Sequence, residues 1–163
     1  MKREIYDEDH EAFRASVKQF LDREVTPHLE TYAGNHGLDR DFWLAAGKQG
    51  FLGLEIPEEH GGSEAGDYRF NAVLTEELAK VNMTLPSCVG IHADITVPYL
   101  VHLTSDEQRA RWLPRAATGE LVTAIGMTEP GGGSDLANLR TTAVRDGDDW
   151  VINGSKTFIT NGG

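Results

Sequence analysis

The sequence predicts an α+β fold, because apolar residues follow a helical period in the first part of the chain and a strand period in the last part. Up to residue 119 they recur at spacings of three and four, and beyond residue 120 they alternate with polar residues. The two patterns do not alternate along the chain, which argues against a parallel βαβ sheet. We place the boundary near Glu120, so that residues 1–120 form an all-α domain and residues 121–163 begin a β-domain.

Two helices and a short apolar segment are expected before residue 60. The first helix runs from Glu8 to Val25 and ends at Pro27, whose ring is poorly tolerated inside a helix. The second begins at Asp39 or Asp41, since either side chain can cap it, and residues 52–56 follow as a short buried extended segment. The predicted core residues of the two helices are Phe13, Val17, Phe20, Leu21, Val25, Phe42, Trp43 and Ala46.

The third helix is expected after Asp67, which can act as its N-cap, and it carries two adjacent glutamates. Its apolar stripe consists of Phe70, Val73, Leu74, Leu78 and Val81. Glu76 and Glu77 point mostly away from this stripe, and adjacent residues diverge by roughly 100° around a helix axis. The pair therefore cannot converge on one substrate atom, and we predict a solvated helix face rather than an acid–base pair.

A fourth, more apolar helix is expected from residue 89 to residue 103, largely buried and kinked at Pro98. Ser105 and Gln108 have the spacing of a capping box, in which each side chain bonds the other residue's backbone N–H. They predict the start of a short helix that Pro114 interrupts or bends.

The β-region is expected to begin at Gly119, where the chain leaves the last helix for a first strand. Further along, residues 142–145 and 149–152 flank the sequence Asp146-Gly147-Asp148. An Asp-Gly pair between two strand-like segments is a strong hairpin signal. These residues therefore predict an antiparallel hairpin.

Composition excludes several classes of function. The 15 Lys and Arg residues against 26 Asp and Glu give a net charge of −11, which disfavours nucleic acid and anionic membranes as partners. No apolar run approaches the ~20 residues of a membrane span, and the opening residues do not form an apolar signal run. The single cysteine, Cys88, agrees with a reducing compartment. We therefore expect a cytoplasmic protein.

The six histidines do not have the spacing of metal ligands, so no metal site is predicted. His92 and Asp94 fall on the apolar fourth helix. We expect them to be polar groups that nearby residues satisfy, since buried polar groups are almost always hydrogen-bonded.

The most informative segment is Met127–Asp135, in which three glycines stand between Pro130 and the pair Ser134-Asp135. Such a turn can bring bare backbone N–H groups to an anion, and we expect a phosphate-bearing cofactor, although a glycine-rich turn can also be only a turn. A nucleotide P-loop is excluded because Ser134-Asp135 stands where Lys-Ser/Thr is required, and the glycine spacing is not that of the dinucleotide fingerprint. Glu129 and Asp135 are interpreted as supports of the turn rather than catalysts.

Together with its flanks, this segment resembles the acyl-CoA dehydrogenase family. The matching residues are the blocks 121–135 and 150–162, Thr142 and Ala143, and the loop Ile56–Gly62. The resemblance is strongest to members that act on medium to long acyl chains. It implies a helical domain, a barrel-like middle β-domain and a second helical domain, of which this sequence covers the first and the start of the second. We expect either a portion of a longer enzyme or a shortened relative.

The resemblance also implies a flavin site that holds FAD and faces acyl-CoA. The cofactor contacts carried over are Ile125, Met127, Thr128, Gly133, Ser134, Phe158, Ile159 and Thr160, and the substrate contacts are Ser134, Ile91 and Ile95. Phe158 stands where the family often has Trp, so stacking is kept while an indole N–H donor is lost.

The implied reaction is the α,β-dehydrogenation of an acyl-CoA thioester to the trans-2-enoyl-CoA in fatty-acid β-oxidation. The glutamate that removes the α-proton is expected beyond residue 163, so no residue here is assigned as the base. Electron transfer flavoprotein is the implied acceptor, and a homotetramer or dimer the implied assembly. The alternatives are an acyl-CoA oxidase, a flavin monooxygenase, and a non-catalytic relative that binds acyl-CoA or flavin.

Overall fold

A computed structural model describes residues 4–163 and confirms a helical body followed by a two-stranded antiparallel sheet. The α-helices are α1 (Glu8–Phe20), α2 (Leu29–Gly34), α3 (Arg40–Lys48), α4 (Arg69–Val81), α5 (Thr84–Gly90), α6 (Val97–Leu103) and α7 (Asp106–Ala117). The strands are β1 (Thr142–Asp146) and β2 (Asp149–Asn153). Shorter helical turns are the π turns Leu21–Val25 and Ile91–Thr96 and the 3-10 turns Thr26–His28, Glu58–His60 and Leu136–Asn138.

The first helix has the predicted core residues but does not end at Pro27. The chain passes from α1 through a π turn and a 3-10 turn directly into α2. Pro27 lies in the first positions of the 3-10 turn, where a missing N–H breaks no helical hydrogen bond. The expectation of a stop at Pro27 was therefore wrong, since proline opens a new turn here. Val17, Phe20, Leu21 and Val25 are all buried, as predicted.

Helix α3 begins as predicted, with the Asp39 side chain accepting the backbone N–H of Phe42 at 2.9 Å. Its apolar residues enter the main core, which also contains residues from α1, α2, α4 and α5. Leu52, Leu54 and Ile56 are buried as expected, but the segment is folded into turns instead of being extended. Its carbonyls accept N–H groups from residues 63–65, which satisfies this buried backbone.

Glu77 contradicts the prediction of a solvated helix face. Its side chain is only 2% exposed, and its carboxylate accepts hydrogen bonds from Arg14 of α1 and, at 2.6 Å, from Lys80. Glu76 binds Tyr6 and Arg14 at the edge of the same contact. Helix α1 packs closely on α4, so a carboxylate can be buried there because a cation from the facing helix is buried with it.

Helices α5 and α6 form one helical segment with a π turn between them, and Pro98 lies in the first turn of α6. Pro98 thus stands just after the π turn, at a helix start where its missing N–H breaks no helical hydrogen bond. Helix α7 starts with the predicted capping box of Ser105 and Gln108. It continues through Pro114 to Ala117, so the predicted interruption was wrong; burial of Leu113 and its neighbours against α6 offsets the missing hydrogen bond.

The predicted hairpin is present, with Val144 opposite Val151 and Asp146 opposite Asp149. Gly147 in the turn has a φ of 62°, which glycine adopts without strain. The expected first strand after Gly119 was wrong: residues 121–128 belong to no strand in the described chain. The segment bonds instead to distant parts of the chain, with Thr123 donating to His92 and Thr128 accepting from Thr157.

Candidate functional site

The glycine-rich turn is organised by Glu129. Its backbone forms a pair of hydrogen bonds with Gly132, at 3.1 and 3.0 Å. Its carboxylate accepts the backbone N–H groups of Arg140 at 2.7 Å and Thr141 at 2.9 Å, and the Lys156 ammonium at 2.9 Å. Hydrogen bonding from Thr141, then from the Arg140 backbone and Lys156, lowers the pKa of Glu129 to about 2. At neutral pH Glu129 is thus a charged support of the turn, which agrees with its interpretation as a structural residue.

Asp135 does not support the turn in the way the sequence suggested. Its carboxylate accepts a hydrogen bond from the Asn138 side chain, within the 3-10 turn that follows. The expected bonds from backbone N–H groups to the Asp135 carboxylate are absent among the described residues. Glu129 takes that role because the chain folds back and brings residues 140–141 to it.

The three glycines of the turn leave the backbone open to a ligand. A Cβ atom added at Gly131, Gly132 or Gly133 would meet nothing within 4 Å, so internal packing does not require glycine at these positions. Within residues 4–163, the N–H groups of Gly133 and Ser134 donate to no protein acceptor. A nearby cavity of about 790 Å³ is lined by residues 129–132, 135, 137–141 and 154–155, and Gly133 and Ser134 lie exposed between two of these stretches. Free N–H groups beside open space suit an anionic ligand.

The structure brings together the two segments to which flavin contacts were assigned. The backbone N–H of Thr157 donates to the Thr128 carbonyl at 2.9 Å, and Lys156 Nζ donates to the Met127 carbonyl at 3.0 Å. Residues 125–128 and 158–160 therefore lie side by side, although about thirty positions separate them in sequence. Sequence patterns on their own do not predict this contact.

Large apolar side chains on these two segments are left uncovered. Phe158 is 91% exposed and has a φ of 55°, and Met127 is 40% exposed. A left-handed conformation costs a non-glycine residue about 1 kcal/mol or more, so an exposed aromatic residue in that conformation needs a compensating contact.

The remaining assigned residues are distributed as follows. Ile125, Thr128, Ile159 and Thr160 are half-buried beside the exposed pair, whereas Gly133 and Ser134 are exposed on the turn. Ile91 is half-buried and Ile95 is 39% exposed, both on the second π turn.

A larger cavity, of about 860 Å³, is lined both by helices and by the second flavin-assigned segment. Its walls include Trp43 of α3, Ser87 and Cys88 of α5, and residues 159–163. Ile91 and Ile95 are not among its lining residues, so the structure does not join these two substrate candidates to the assigned flavin contacts.

Three polar residues, His92, Thr123 and Asn161, join the helices to the flavin-assigned segments, a connection that the sequence did not predict. His92 is completely buried; its Nδ1 accepts the Thr123 N–H at 3.1 Å, and its Nε2 donates to the Ala116 carbonyl at 3.1 Å. Burial lowers the pKa of His92. Asn161 Nδ2 donates to the carbonyls of Cys88 at 2.9 Å and Thr123 at 3.3 Å. His92 is satisfied, as expected, but by residues 24 and 31 positions away, which no local signal indicates.

Within residues 4–163, no helix combines the length and apolar character that crossing a membrane requires. No cluster of three or more His, Cys, Asp or Glu side chains in that range is arranged to hold a metal ion.

Comparison with known proteins assigns the family. Residues 7–120 match the model of the acyl-CoA dehydrogenase N-terminal domain, and residues 124–163 match that of the acyl-CoA dehydrogenase middle domain. The fold thus defines a helical domain joined to the start of a middle domain that carries the glycine-rich turn. The chain belongs to the acyl-CoA dehydrogenase family.

Individual relatives agree with this assignment. The mitochondrial long-chain specific acyl-CoA dehydrogenase of Sus scrofa is 45% identical over 98% of this chain, which spans 37% of that protein. A crystal structure of an acyl-CoA dehydrogenase from Geobacillus kaustophilus superimposes with a TM-score of 0.93 at 46% identity, covering 99% of this chain and 42% of that one. A glutaryl-CoA dehydrogenase from Mycobacterium smegmatis in complex with FADH2 has a TM-score of 0.89 at 32% identity, covering 96% and 40%. The chain therefore spans about two fifths of the relatives it matches.

Proposed function

We propose that this chain supplies the flavin-facing part of an FAD-dependent acyl-CoA dehydrogenase, which converts an acyl-CoA thioester to the trans-2-enoyl-CoA. One observation carries the proposal: residues 125–128 and 158–160 are held side by side, with Met127 and Phe158 uncovered, next to a turn with free backbone N–H groups. Membership of the family and a similar structure described with FADH2 support it.

The residues present fit FAD. The backbone N–H groups of Gly133 and Ser134 would hold the pyrophosphate, and the Ser134 hydroxyl could serve either the pyrophosphate or acyl-CoA. Phe158 and Met127 would cover the ring, and the hydroxyls of Thr128 and Thr160 would donate to its polar edge. Bound FAD supplies a two-electron acceptor for the hydride that leaves the β-carbon of the acyl group. Ile125 and Ile159 would exclude water beside it.

The α-proton must go to a base, and Glu129 is unsuited to this role. Its carboxylate is held by Arg140, Thr141 and Lys156, and its pKa of about 2 makes it a weak proton acceptor at neutral pH. We assign the base to none of the residues 4–163. The complete reaction accordingly belongs to a protein that includes the further parts present in its longer relatives.

Finer properties are proposed on the strength of the family. The substrate class is medium to long acyl-CoA in β-oxidation, with Ile91 and Ile95 shaping the acyl pocket. Electron transfer flavoprotein is the proposed acceptor, and a homotetramer or dimer the proposed assembly. We keep the cytoplasm as the proposed location; because the pig relative is named as mitochondrial, cell fractionation would decide between the two.

The proposal is tested on the native protein, purified at the length that the cell makes, by its visible absorption spectrum. We expect flavin bands that bleach when acyl-CoA is added without oxygen, most rapidly for chains of medium to long length. A protein that shows no flavin bands, even after incubation with FAD, would contradict the proposal and favour a binding role. Rapid reoxidation of the bleached flavin by oxygen would instead favour an oxidase or a monooxygenase.

A further inference from the structure

Thr123 is held from two sides by side chains that come from distant parts of the sequence. Its backbone N–H and its hydroxyl contact Nδ1 of His92, at 3.1 and 2.9 Å. Its carbonyl accepts a hydrogen bond from Asn161 Nδ2 at 3.3 Å. The backbone of Thr123 is thus fixed at both its donor and its acceptor, just ahead of the flavin-assigned residues that begin at Ile125.

His92 can make these contacts only in one protonation state. Since Nδ1 accepts the Thr123 N–H, it carries no proton, and the ring proton is on Nε2, which donates to the Ala116 carbonyl. The ring is 0% exposed and lies edge-on to Trp43, with 5.5 Å between the ring centroids. His92 therefore fixes the positions of α7 and Thr123 relative to the π turn Ile91–Thr96, on which it lies.

Asn161 completes the junction from the other flavin-assigned segment. It follows Thr160 directly and has a φ of 62°, which directs its side chain amide to the helical body. Both hydrogen bonds of Nδ2 end on carbonyls, those of Cys88 and Thr123. Asparagine is one of the few residues that tolerate this backbone conformation and also donate in this way.

We infer that His92, Thr123 and Asn161 form a positioning junction, which sets the distance between the two flavin-facing segments and the helix that carries Ile91. This inference rests on the function proposed above. Ile91 precedes His92 and Thr160 precedes Asn161, so these two junction residues adjoin assigned contacts, and Thr123 lies two positions before Ile125. The junction residues touch neither flavin nor substrate in this proposal; they act through their neighbours.

The consequence for the reaction is geometric. Hydride transfer needs the reacting atoms within about 3–3.5 Å, and a misplacement of about 1 Å can slow an enzyme by about 10²-fold. Loss of the junction should therefore slow flavin reduction at saturating substrate much more than it weakens substrate binding.

The test compares His92→Leu with His92→Asn in the native-length protein, purified with flavin bound. Both substitutions remove the bond to Ala116, but the side chain oxygen of asparagine can still accept the Thr123 N–H. We expect His92→Leu to slow flavin reduction by acyl-CoA at least about tenfold and His92→Asn to recover most of that loss. Asn161→Gly, which keeps the left-handed backbone accessible and removes the amide, should slow the reaction similarly.

His10→Leu is the matched control, since His10 is also buried, at 2% exposure, but lies in the capping box of α1. It should lower the melting temperature without changing the rate of reduction. Amide hydrogen exchange gives a second readout. The amides of residues 123–128 should exchange faster in His92→Leu and Asn161→Gly, and their exchange rates should be unchanged in His10→Leu.

The outcomes separate the two proposals. Slowed reduction, or loss of flavin in His92→Leu and Asn161→Gly but not in His10→Leu, supports the junction. Unchanged reduction and exchange in both junction variants would overturn it while leaving the dehydrogenase intact. Absence of flavin from the unsubstituted protein would refute the proposed function itself, and this inference with it.

Discussion

The buried ion pair between α1 and α4 offers a quantitative test of the fold. Arg14 and Glu77 have side chains that are 11% and 2% exposed, and the Arg14 guanidinium contacts the Glu77 carboxylate directly. Removing one partner of a buried pair typically costs about 3–5 kcal/mol, because the other charge stays buried without compensation. Lys80, at 2.6 Å, remains beside Glu77, so we expect Arg14→Met to cost about 3 kcal/mol, at the lower end.

The pH dependence of this cost follows from the Glu77 carboxylate. Burial raises its pKa, but hydrogen bonds from Lys80 and Arg14 outweigh burial, and the net pKa lies below the ordinary value of 4.5. A carboxylate with a lowered pKa stabilises the folded state above pH 4.5, and this contribution is lost as the pH falls below that value. The cost of Arg14→Met should accordingly be largest near neutral pH and shrink in acid.

A double-mutant cycle distinguishes the pair from simple packing. We would measure urea unfolding of Arg14→Met, Glu77→Leu and the combined variant, near neutral pH and in acid. The combined variant should be much more stable than the sum of the two single costs predicts, because it buries no unpaired charge. Additive costs, or a cost of Arg14→Met under about 1 kcal/mol, would refute the reasoning.

Three further predictions, with four substitutions, test other parts of the structure. Gly119→Ala should destabilise the protein by at least about 2 kcal/mol in a urea titration, because φ is 77° and the new Cβ would overlap the backbone of Trp43. Leu113→Ala, at a completely buried site, should cost about 3 kcal/mol, whereas Leu103→Ala, at a site 73% exposed, should stay within about 0.5 kcal/mol; equal costs would contradict the assigned core. The pKa of Glu129 is about 2 instead of 4.5, so its charge supports the turn above pH 4.5 and is lost as the pH falls toward 2. Glu129→Gln should therefore make the stability of the fold less sensitive to acid. An acid unfolding curve that this substitution leaves unchanged would argue against the role.

Local signals predicted most element starts correctly. Asp39 caps α3 and Ser105 with Gln108 caps α7, since each cap needs only residues within one turn. The prolines misled because their effect depends on position: Pro27 opens a turn, and Pro114 is carried inside α7 by its packing. The assigned flavin and substrate contacts stay predictions until the spectroscopic and kinetic tests are made. The domain boundary near Glu120 also stays a prediction.

The amino-acid sequence by itself determined the helical and strand periods, the caps of α3 and α7, the hairpin turn and the family motifs, because each depends on residues close together in the chain. Tertiary structure alone decided that Glu77 is buried, since its partner Arg14 lies 63 positions away. It also decided that Glu129 secures the glycine-rich turn, and that His92 and Asn161 meet at Thr123. Each of these depends on which distant groups satisfy a buried charge or a backbone polar group, and only the folded chain brings those groups together.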